Sequence, residues 1–237
     1  MSYRSVVAEL ESLESRRLLS AAYPTADEQY LVQLVNLARA NPSAEAARDG
    51  IDLNEGLSAG TISTAAKQPL AINPYLTDSA RKHSQWMIDN NTFSHYEGSS
   101  DPGDRMTAAG YAFTGSWTWG ENIGWNGSTG TINPDTTTAQ IEQSLFVDSG
   151  VDGRGHRVNL MNDSFREIGG GVVTGQFTSG TTYNAVMATQ DFAASGSSVF
   201  LTGAAYSDAI IKDNFYTPGE GLGGVTVTAV RASDQSV

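Results

Sequence analysis

Two of the three histidines in this sequence lie in segments that could present an imidazole to a ligand. The run Gly153–Gly155 precedes His156, just after a helical pattern ends, and Phe93–Ser94 precedes His95. A histidine in a glycine-flanked turn can reach a ligand, whereas one on an apolar helix face usually packs in the core. Neutral imidazole can bind zinc or act as a general base. A surface histidine without a function is the alternative for each segment taken alone.

A candidate carboxylate, Glu121, lies among three tryptophans. The segment contains Trp117, Trp119 and Trp125 around the run Gly120–Ile123. Its glycines favour a loop. The tryptophans either pack in the core or line a cleft in which the carboxylate loses contact with water. Both interpretations stay open from the sequence.

The composition excludes several classes of function. The chain has 237 residues, no cysteine and a formal net charge of −12. The lack of cysteine excludes disulfides, thiolate metal sites and cysteine nucleophiles. The acidity argues against nucleic acid as a partner but is compatible with metal ions. No run approaches the roughly 20 apolar residues that cross a bilayer, so we predict that the protein is not transmembrane.

The first predicted helix begins at a capping box. Thr25 and Glu28 have the spacing of that motif, and apolar residues follow at i, i+3, i+4 and i+7. Asn41–Pro42 is expected to end or interrupt the helix. Residues 43–69 are predicted to form a long loop with at most a turn or two of helix.

Two further helices are predicted to precede the candidate ligands. The pattern favours a helix over Asp78–Asn90 with Thr77 as its N-cap, and we expect His83 on this helix to pack in the core. A third helix over Pro134–Asp148 would lead into the loop that carries His156.

Two β-like runs near the end of this region predict a hairpin. They are Ile168–Phe177 and Tyr183–Phe192, and Gly180 lies in the turn between them. Helices followed by a terminal hairpin favour a sheet covered by helices. A linker is predicted at Ala194–Ser198, and a strand at Val225–Val230.

The N-terminal residues 1–23 are kept out of the predicted fold. Leu13–Ala21 resembles a short segment near the N-termini of many planctomycete exported proteins, although charged residues interrupt the apolar run of a secretory signal. A weak amphipathic helix is the alternative.

The region from Asp27 to Ala193 resembles a bacterial member of the CAP superfamily, which comprises cysteine-rich secretory proteins, antigen 5 and pathogenesis-related class-one proteins. Each matching segment is short, but seven occur in the family's order and span most of the chain. The segments are Leu34–Arg39, Phe93–His95, Asp104–Met106 with Gly110–Tyr111, Gly120–Ile123, Gly155–Met161, Ile168–Gly171 and Thr189–Phe192.

The resemblance implies an α+β fold over residues 24–194, a three-layer α–β–α sandwich with an open cleft. Two histidines and two acids converge in that cleft in the family. By position, the histidines are His95 and His156, and the first acid is Glu121. We expect this region to be followed by a partial all-β module.

The second acid of the family's cleft corresponds to Asp148. Many members have a glutamate after a tryptophan at this point, whereas here Leu145 replaces the tryptophan and the acid is one methylene shorter. Asp101 or Asp104 could supply the fourth ligand instead.

The implied set of imidazoles and carboxylates suits a divalent cation, with zinc favoured. The same groups could perform acid–base chemistry without a metal, or could hold the cleft loops by hydrogen bonds alone.

Residues 199–237 resemble the start of a B-type surface repeat, an immunoglobulin-like β-module. In such modules acids bind calcium through oxygen, but Ile210 and Ile211 lie where polar ligands are expected. The chain stops before such a module could close its sheets, so we expect a piece of a longer surface protein. The candidate calcium ligands are Asp208, Asp213 and Glu220.

The sequence therefore predicts a secreted or cell-surface CAP-domain protein whose cleft binds a divalent cation. Three further functions stay open. A small molecule, a lipid or a cell-surface ligand could bind along Trp117, Trp119 and Trp125. A peptidase or esterase could use metal-activated water or Ser94. A structural or adhesive surface module would need no catalytic residue.

Overall fold

The computed structural model describes residues 23–228 of the chain. The export-like segment at 13–21 lies outside the described residues. Among the described residues, no helix is both long and apolar enough to cross a membrane.

Within residues 23–195 there are six helices and four strands, and a short 3₁₀ turn at Asp152–Arg154 precedes the last helix. In chain order the elements are α1 (Ala26–Ala40), α2 (Pro42–Arg48), β1 (Ala71–Ile72), α3 (Pro74–Asp89), α4 (Pro102–Ala108), β2 (Trp117–Ser128), α5 (Pro134–Val147), α6 (Gly155–Leu160), β3 (Glu167–Ser179) and β4 (Thr181–Ser195).

The four strands form one mixed sheet in the order β1-β3-β4-β2. β1 runs parallel to β3, and the other neighbours are antiparallel. The β3–β4 hairpin was predicted and is confirmed, with Gly180 in its turn at a φ of 72°. In the part of the chain that the structure describes, β2 is an edge strand and pairs only with β4.

Helices cover both faces of the sheet, and three consecutive glycines of β3 show this directly. A Cβ at Gly169 or Gly171 would lie 2.0 Å or 2.2 Å from the backbone of α3, whereas one at Gly170 would face Glu28 and Val32 of α1. Because alternate residues of a strand point to opposite faces, α1 and α3 lie on opposite sides. The predicted α–β–α sandwich is confirmed.

The main apolar core lies on the α1 side of the sheet. It joins buried side chains of α1, α5, α6, β3 and β4, including Leu31, Val35, Phe146, Leu160 and Phe192. Two smaller clusters fill the α3 side, around Met87 and around Met106.

Helix starts follow side-chain caps. Thr25 and Glu28 form the predicted capping box. α3 begins earlier than predicted, because Asn73 caps it and Pro74 occupies its first position, a stronger start signal than Thr77. The region predicted as a loop after residue 42 contains α2, whose N-cap is Asn41.

The segment predicted as a tryptophan-containing loop is instead the strand β2. Its period of two is carried by Trp117, Trp119, Glu121 and Trp125, which alternate with glycine and other polar residues. The glycines obscure the strand pattern in the sequence. Their small size leaves room for helix side chains to pack directly on β2. A Cβ at Gly124, for example, would lie 2.7 Å from Ile141 of α5.

Residues 199–228 show little regular structure. They contain one isolated bridge, between Tyr206 and Gly221. No strand is assigned at residues 225–228, and the rest of the predicted strand lies outside the described residues. The segment packs back on α1, where the buried Tyr216 donates a hydrogen bond to Ala26 O over 3.4 Å.

Candidate functional site

The first predicted histidine, His95, is paired with the first predicted acid. Its Nδ1 lies 2.7 Å from Glu121 Oε1. The Glu121 side chain is 1% exposed and the imidazole 42% exposed. A carboxylate accepts, so Nδ1 carries a hydrogen, and in the neutral imidazole the lone pair is then on Nε2. The pair therefore has a buried acid and an accessible ring.

Arg105 of α4 holds this pair in place from behind. Its guanidinium donates to the second carboxylate oxygen of Glu121 and, over 2.8 Å, to His95 O. A charge-assisted hydrogen bond of this kind stabilises a buried carboxylate that would otherwise lose its hydration. Arg105 lies within the matching segment Asp104–Met106, but no role was predicted for it.

The second histidine, His156, is paired in the same way with Asp148. Its Nδ1 lies 2.7 Å from Asp148 Oδ1, and the acid is again 1% exposed while the ring is 24% exposed. Asp148 Oδ2 accepts the backbone N–H groups of His156, at 2.9 Å, and of Arg157, at 3.3 Å. The carboxylate thus satisfies donors at the start of α6 that have no partner inside the helix.

The position of Asp148 follows from how α5 ends. Asp148 is the C-cap, with a left-handed φ of 52° that turns the chain out of the helix. His156 lies in the first turn of α6, and not in an open loop as predicted. α6 is only six residues long and begins with Gly155, which conceals it from a periodicity argument.

Arg157 fixes the end of α5 relative to α6. It is fully buried, and its guanidinium donates to Phe146 O over 2.6 Å and to Val147 O next to Asp148. It also donates to Leu53 O over 3.1 Å. Arg157 thereby connects the loop before residue 56 to the end of α5. This contact holds Asp148 next to His156.

The two imidazole–carboxylate pairs are joined through β2. Asn122 Nδ2 donates to His156 O over 3.2 Å. Asn159 Nδ2 donates to Asn122 Oδ1 over 2.9 Å and to Glu121 O over 3.3 Å. Glu121 and Asn122 are adjacent in β2 and point to opposite faces, so these hydrogen bonds connect the two pairs across the strand.

A cavity of about 230 Å³ lies beside the second pair. Asp148 and His156 line it together with apolar groups that include Trp125 and Leu145. Phe93 lines it as well, which brings the loop of His95 to its rim. His95 and Glu121 do not line this cavity, so a single cleft formed by all four predicted residues stays a prediction.

The donor groups limit how a metal ion could bind. Within residues 23–228, no group of three or more histidine, aspartate or glutamate side chains is arranged to hold a metal ion. The carboxylates of Glu121 and Asp148 face ring nitrogens, so they orient the imidazoles. The ring atom that each pair leaves for a ligand is Nε2, and metal binding at these two atoms stays a prediction.

The alternative acids are occupied elsewhere. Asp101 and Asp104 form a capping box at the start of α4, in which each carboxylate accepts the other residue's N–H, at 3.2 Å and 2.8 Å. Ser94, the alternative nucleophile, accepts the N–H of Tyr96 over 3.0 Å. These contacts give each group a local structural role.

His83 lies fully buried, as expected for a packing histidine. Its two ring nitrogens face Glu97 Oε1 at 2.8 Å and Ser94 O at 3.0 Å. Through Ser94 it fixes the backbone next to His95.

Asp191 of β4 is a site residue that sequence reasoning missed. It is fully buried and pairs in register with Glu121. Burial, and then the negative charge of Glu121, raises the pKa of Asp191 well above its ordinary value. Asp191 lies in the matching segment Thr189–Phe192, but nothing in the sequence indicates that it would lie beside Glu121 in the sheet.

The three tryptophans occupy different surroundings. Trp117 is 55% exposed, Trp119 packs against the cluster around Met106, and Trp125 contacts Phe177 with ring centroids 4.8 Å apart. Only Trp125 lines the cavity beside His156. A single ligand surface formed by all three stays a prediction.

The predicted calcium ligands accept backbone hydrogen bonds. Glu220 Oε1 accepts the N–H of Ile210 over 2.7 Å, and Asp208 Oδ1 accepts that of Asn214 over 3.0 Å. Asp213 Oδ1 accepts a nearby N–H in the same way. These contacts hold the loop together, and calcium binding there stays a prediction.

A family model described as the cysteine-rich secretory protein family, CAP, matches residues 32–192. No curated protein matches the chain significantly.

Solved structures give weaker likenesses. An extracellular protein containing an SCP domain from Bacillus anthracis is 22% identical, with a TM-score of 0.41; the match covers 70% of this chain and 39% of that one. An outer surface protein from Borrelia burgdorferi is 17% identical over 55% of this chain and 80% of its own, with a TM-score of 0.41. BmVAL-1 is 14% identical, and the match covers 81% of this chain and 90% of that one, with a TM-score of 0.42.

Proposed function

The chain belongs to the CAP family of cysteine-rich secretory proteins, and we propose that its site binds a divalent cation, zinc in preference, through His95 and His156. One observation carries the proposal. Each imidazole directs Nδ1 at a buried carboxylate and so keeps Nε2 as its free ligand atom. Histidines that bind metals are oriented by carboxylates in this way.

The acids contribute through the rings. A carboxylate that accepts the Nδ1–H fixes the ring tautomer and makes Nε2 a stronger donor. Two nitrogen ligands favour zinc over calcium or magnesium, which prefer oxygen. When bound, such an ion supplies a Lewis acid with positions open to water or a small ligand. Apolar groups of the cavity beside His156, including Phe93 and Trp125, would contact that ligand.

Titration calorimetry of the purified chain with zinc chloride tests the proposal. We expect saturable binding of one ion per chain, lost in His95→Ala and in His156→Ala. The matched control is Asp78→Asn, which removes an acid on α3 that pairs with Lys82 over 2.7 Å, and it should bind as the wild type does. Wild-type protein that takes up no zinc, or a double histidine variant that binds normally, contradicts the proposal.

We also propose an extracellular or cell-surface location. The family is described as secretory, and Leu13–Ala21 resembles an export segment. Fractionation of producing cells with an antibody to the chain should find it in the medium or at the surface. Recovery in the cytoplasm alone would be evidence against this location.

A further inference from the structure

A second and larger cavity, of about 530 Å³, lies away from the histidines. It occupies the end of the sheet where β2 and β3 begin and β4 ends, and its lining includes Trp117, Thr118 and Arg166. Trp117 precedes Glu121 by four residues of extended strand, which is about 13 Å. The cavity shares no lining residue with the one beside His156.

Trp117 offers a flat apolar surface at this cavity. Its side chain is 55% exposed, although burial of an indole would stabilise the fold. Its position is nevertheless fixed: the backbone pairs with Ser195 of β4, and Phe113 supports the ring at a centroid distance of 5.2 Å. A rigidly held, exposed indole is suited to stacking on a ligand.

Arg166 places a positive charge in the same cavity. Its backbone N–H donates to Ala193 O over 3.0 Å, and its Nη1 donates to Phe165 O over 2.9 Å and to Asp163 O. Within the described part of the chain, Arg166 forms no ion pair with a carboxylate. This is notable in a sequence with 26 acidic and 14 basic residues. Its remaining N–H groups form a fork that fits a carboxylate.

Hydroxyl groups supply the rest of the polar lining. Each can donate one hydrogen bond and accept others, so together they match ligand hydroxyls of either role. The hydroxyl-bearing residues are Ser116, Thr118, Ser164, Ser197 and Ser198.

We propose that this cavity binds an acidic saccharide, a pyranose that carries a carboxylate. The C–H face of the sugar ring would stack on Trp117, the carboxylate would bind the Arg166 fork, and the ring hydroxyls would bond the serine and threonine hydroxyls. A neutral apolar ligand would leave Arg166 and the hydroxyls without partners, which is costly. The inference goes beyond the proposed cation site, because no residue of that site takes part.

Calorimetry with a galacturonate trimer, and with a galactose trimer as its neutral counterpart, tests the proposal in buffer that contains a chelator. We expect Trp117→Ala to weaken binding of the acidic trimer at least about tenfold. Arg166→Gln should weaken it by about tenfold and remove the preference over the neutral trimer. The indole fluorescence of the wild type should change on binding, and the change should be lost in Trp117→Ala.

Matched controls separate the site from general effects. Tyr96→Ala removes another exposed aromatic ring, 58% exposed, and Lys82→Gln removes an exposed charge, 72% exposed; both should bind like the wild type. His156→Ala should also keep the affinity, which distinguishes this proposal from the cation site. The proposal is overturned if the acidic trimer shows no saturable binding up to about 10 mM, or if it binds Trp117→Ala as tightly as the wild type. It is also overturned if inorganic phosphate displaces the trimer equally well from the wild type and from Trp117→Ala, because the site would then recognise an anion alone.

Discussion

At the scale of single residues, the two histidines reach the same arrangement by different means. Glu121 comes from the middle of a strand and is held by the guanidinium of Arg105. Asp148 comes from the end of a helix and is held by backbone N–H groups of the next helix. Both acids are buried and both rings are accessible, so the protein has fixed the direction of each ring from its inner side.

Asp148→Asn tests whether this acid supports the cation site. An amide cannot accept from the His156 ring and from the backbone N–H groups as strongly as a carboxylate, so the ring loses orientation and Nε2 becomes a weaker donor. We expect zinc affinity to fall by about ten- to a hundredfold in calorimetry. Asp101→Asn is the matched control, because Asp101 was the alternative ligand and caps α4. If Asp101→Asn causes the larger loss, the assignment of Asp148 is wrong.

The sequence located the rings but not all of their supports. His95, Glu121 and His156 lie in short motifs that the family resemblance identified. Asp148 was placed by position, and the structure pairs it with His156 at 2.7 Å. The burial of Asp191 beside Glu121 depends on the register of β2 with β4. Register is a long-range property, so a local pattern cannot reveal it.

At the scale of elements, α3 packs unusually close to the sheet because β3 presents glycines to it. A Cβ at Gly171 would lie 2.2 Å from the Ala80 carbonyl carbon, and one at Gly169 would lie 2.0 Å from that of Leu76. Neither position requires a left-handed backbone. The glycines are therefore needed for close approach of two backbones.

Gly171→Ala should destabilise the protein strongly, because backbone atoms of α3 cannot move aside as a flexible side chain would. We expect the free energy of unfolding to fall by more than about 3 kcal/mol, or the chain not to fold, as measured by urea denaturation. The control is Gly155→Ala in α6, where a Cβ meets no atom within 4 Å and alanine favours the helix. Equal stability of the two variants would show that α3 does not pack against β3 this closely.

Elements with local signals were predicted well, and those defined by packing were not. The capping box of α1 and the β3–β4 hairpin are local features, and both are confirmed. β2 was predicted as a loop because its glycines weaken the strand pattern, yet those glycines are what admit Ile141 and Phe165 against the sheet. Side chains that pack on a strand from other elements decide where the strand needs a small residue, and a local sequence pattern does not show those contacts.

At the scale of the whole molecule, the layered arrangement buries acids as well as apolar groups. Glu142 of α5 is 1% exposed, and neither of its carboxylate oxygens has a hydrogen-bond partner within residues 23–228. The charges that act on it come from Glu45 and Arg48 of α2 and from Asp49, the C-cap of that helix. Burial, and then the charge of Glu45, raises the pKa of Glu142 from 4.5 to about 8.

This raised pKa makes the stability of the whole fold depend on pH. Above pH 4.5 the unfolded chain releases the proton of Glu142, whereas the folded chain keeps it until pH about 8. The folded state then binds more protons than the unfolded state. The free energy of unfolding therefore falls as pH rises through this window, by up to about 1.4 kcal/mol per pH unit from this one group.

Glu142→Gln removes the ionisable group, so its free energy of unfolding should lack this fall. We expect the difference between variant and wild type to grow in favour of the variant from pH 4.5 to about 8, and then to level off. Urea denaturation at several pH values measures it, and other buried acids cancel because both proteins share them. Glu55→Gln makes the same chemical change at a side chain that is 53% exposed. A difference for Glu142→Gln that stays constant with pH would mean that the carboxyl group is already ionised in the folded protein, and that α2 and α5 leave water a path to it.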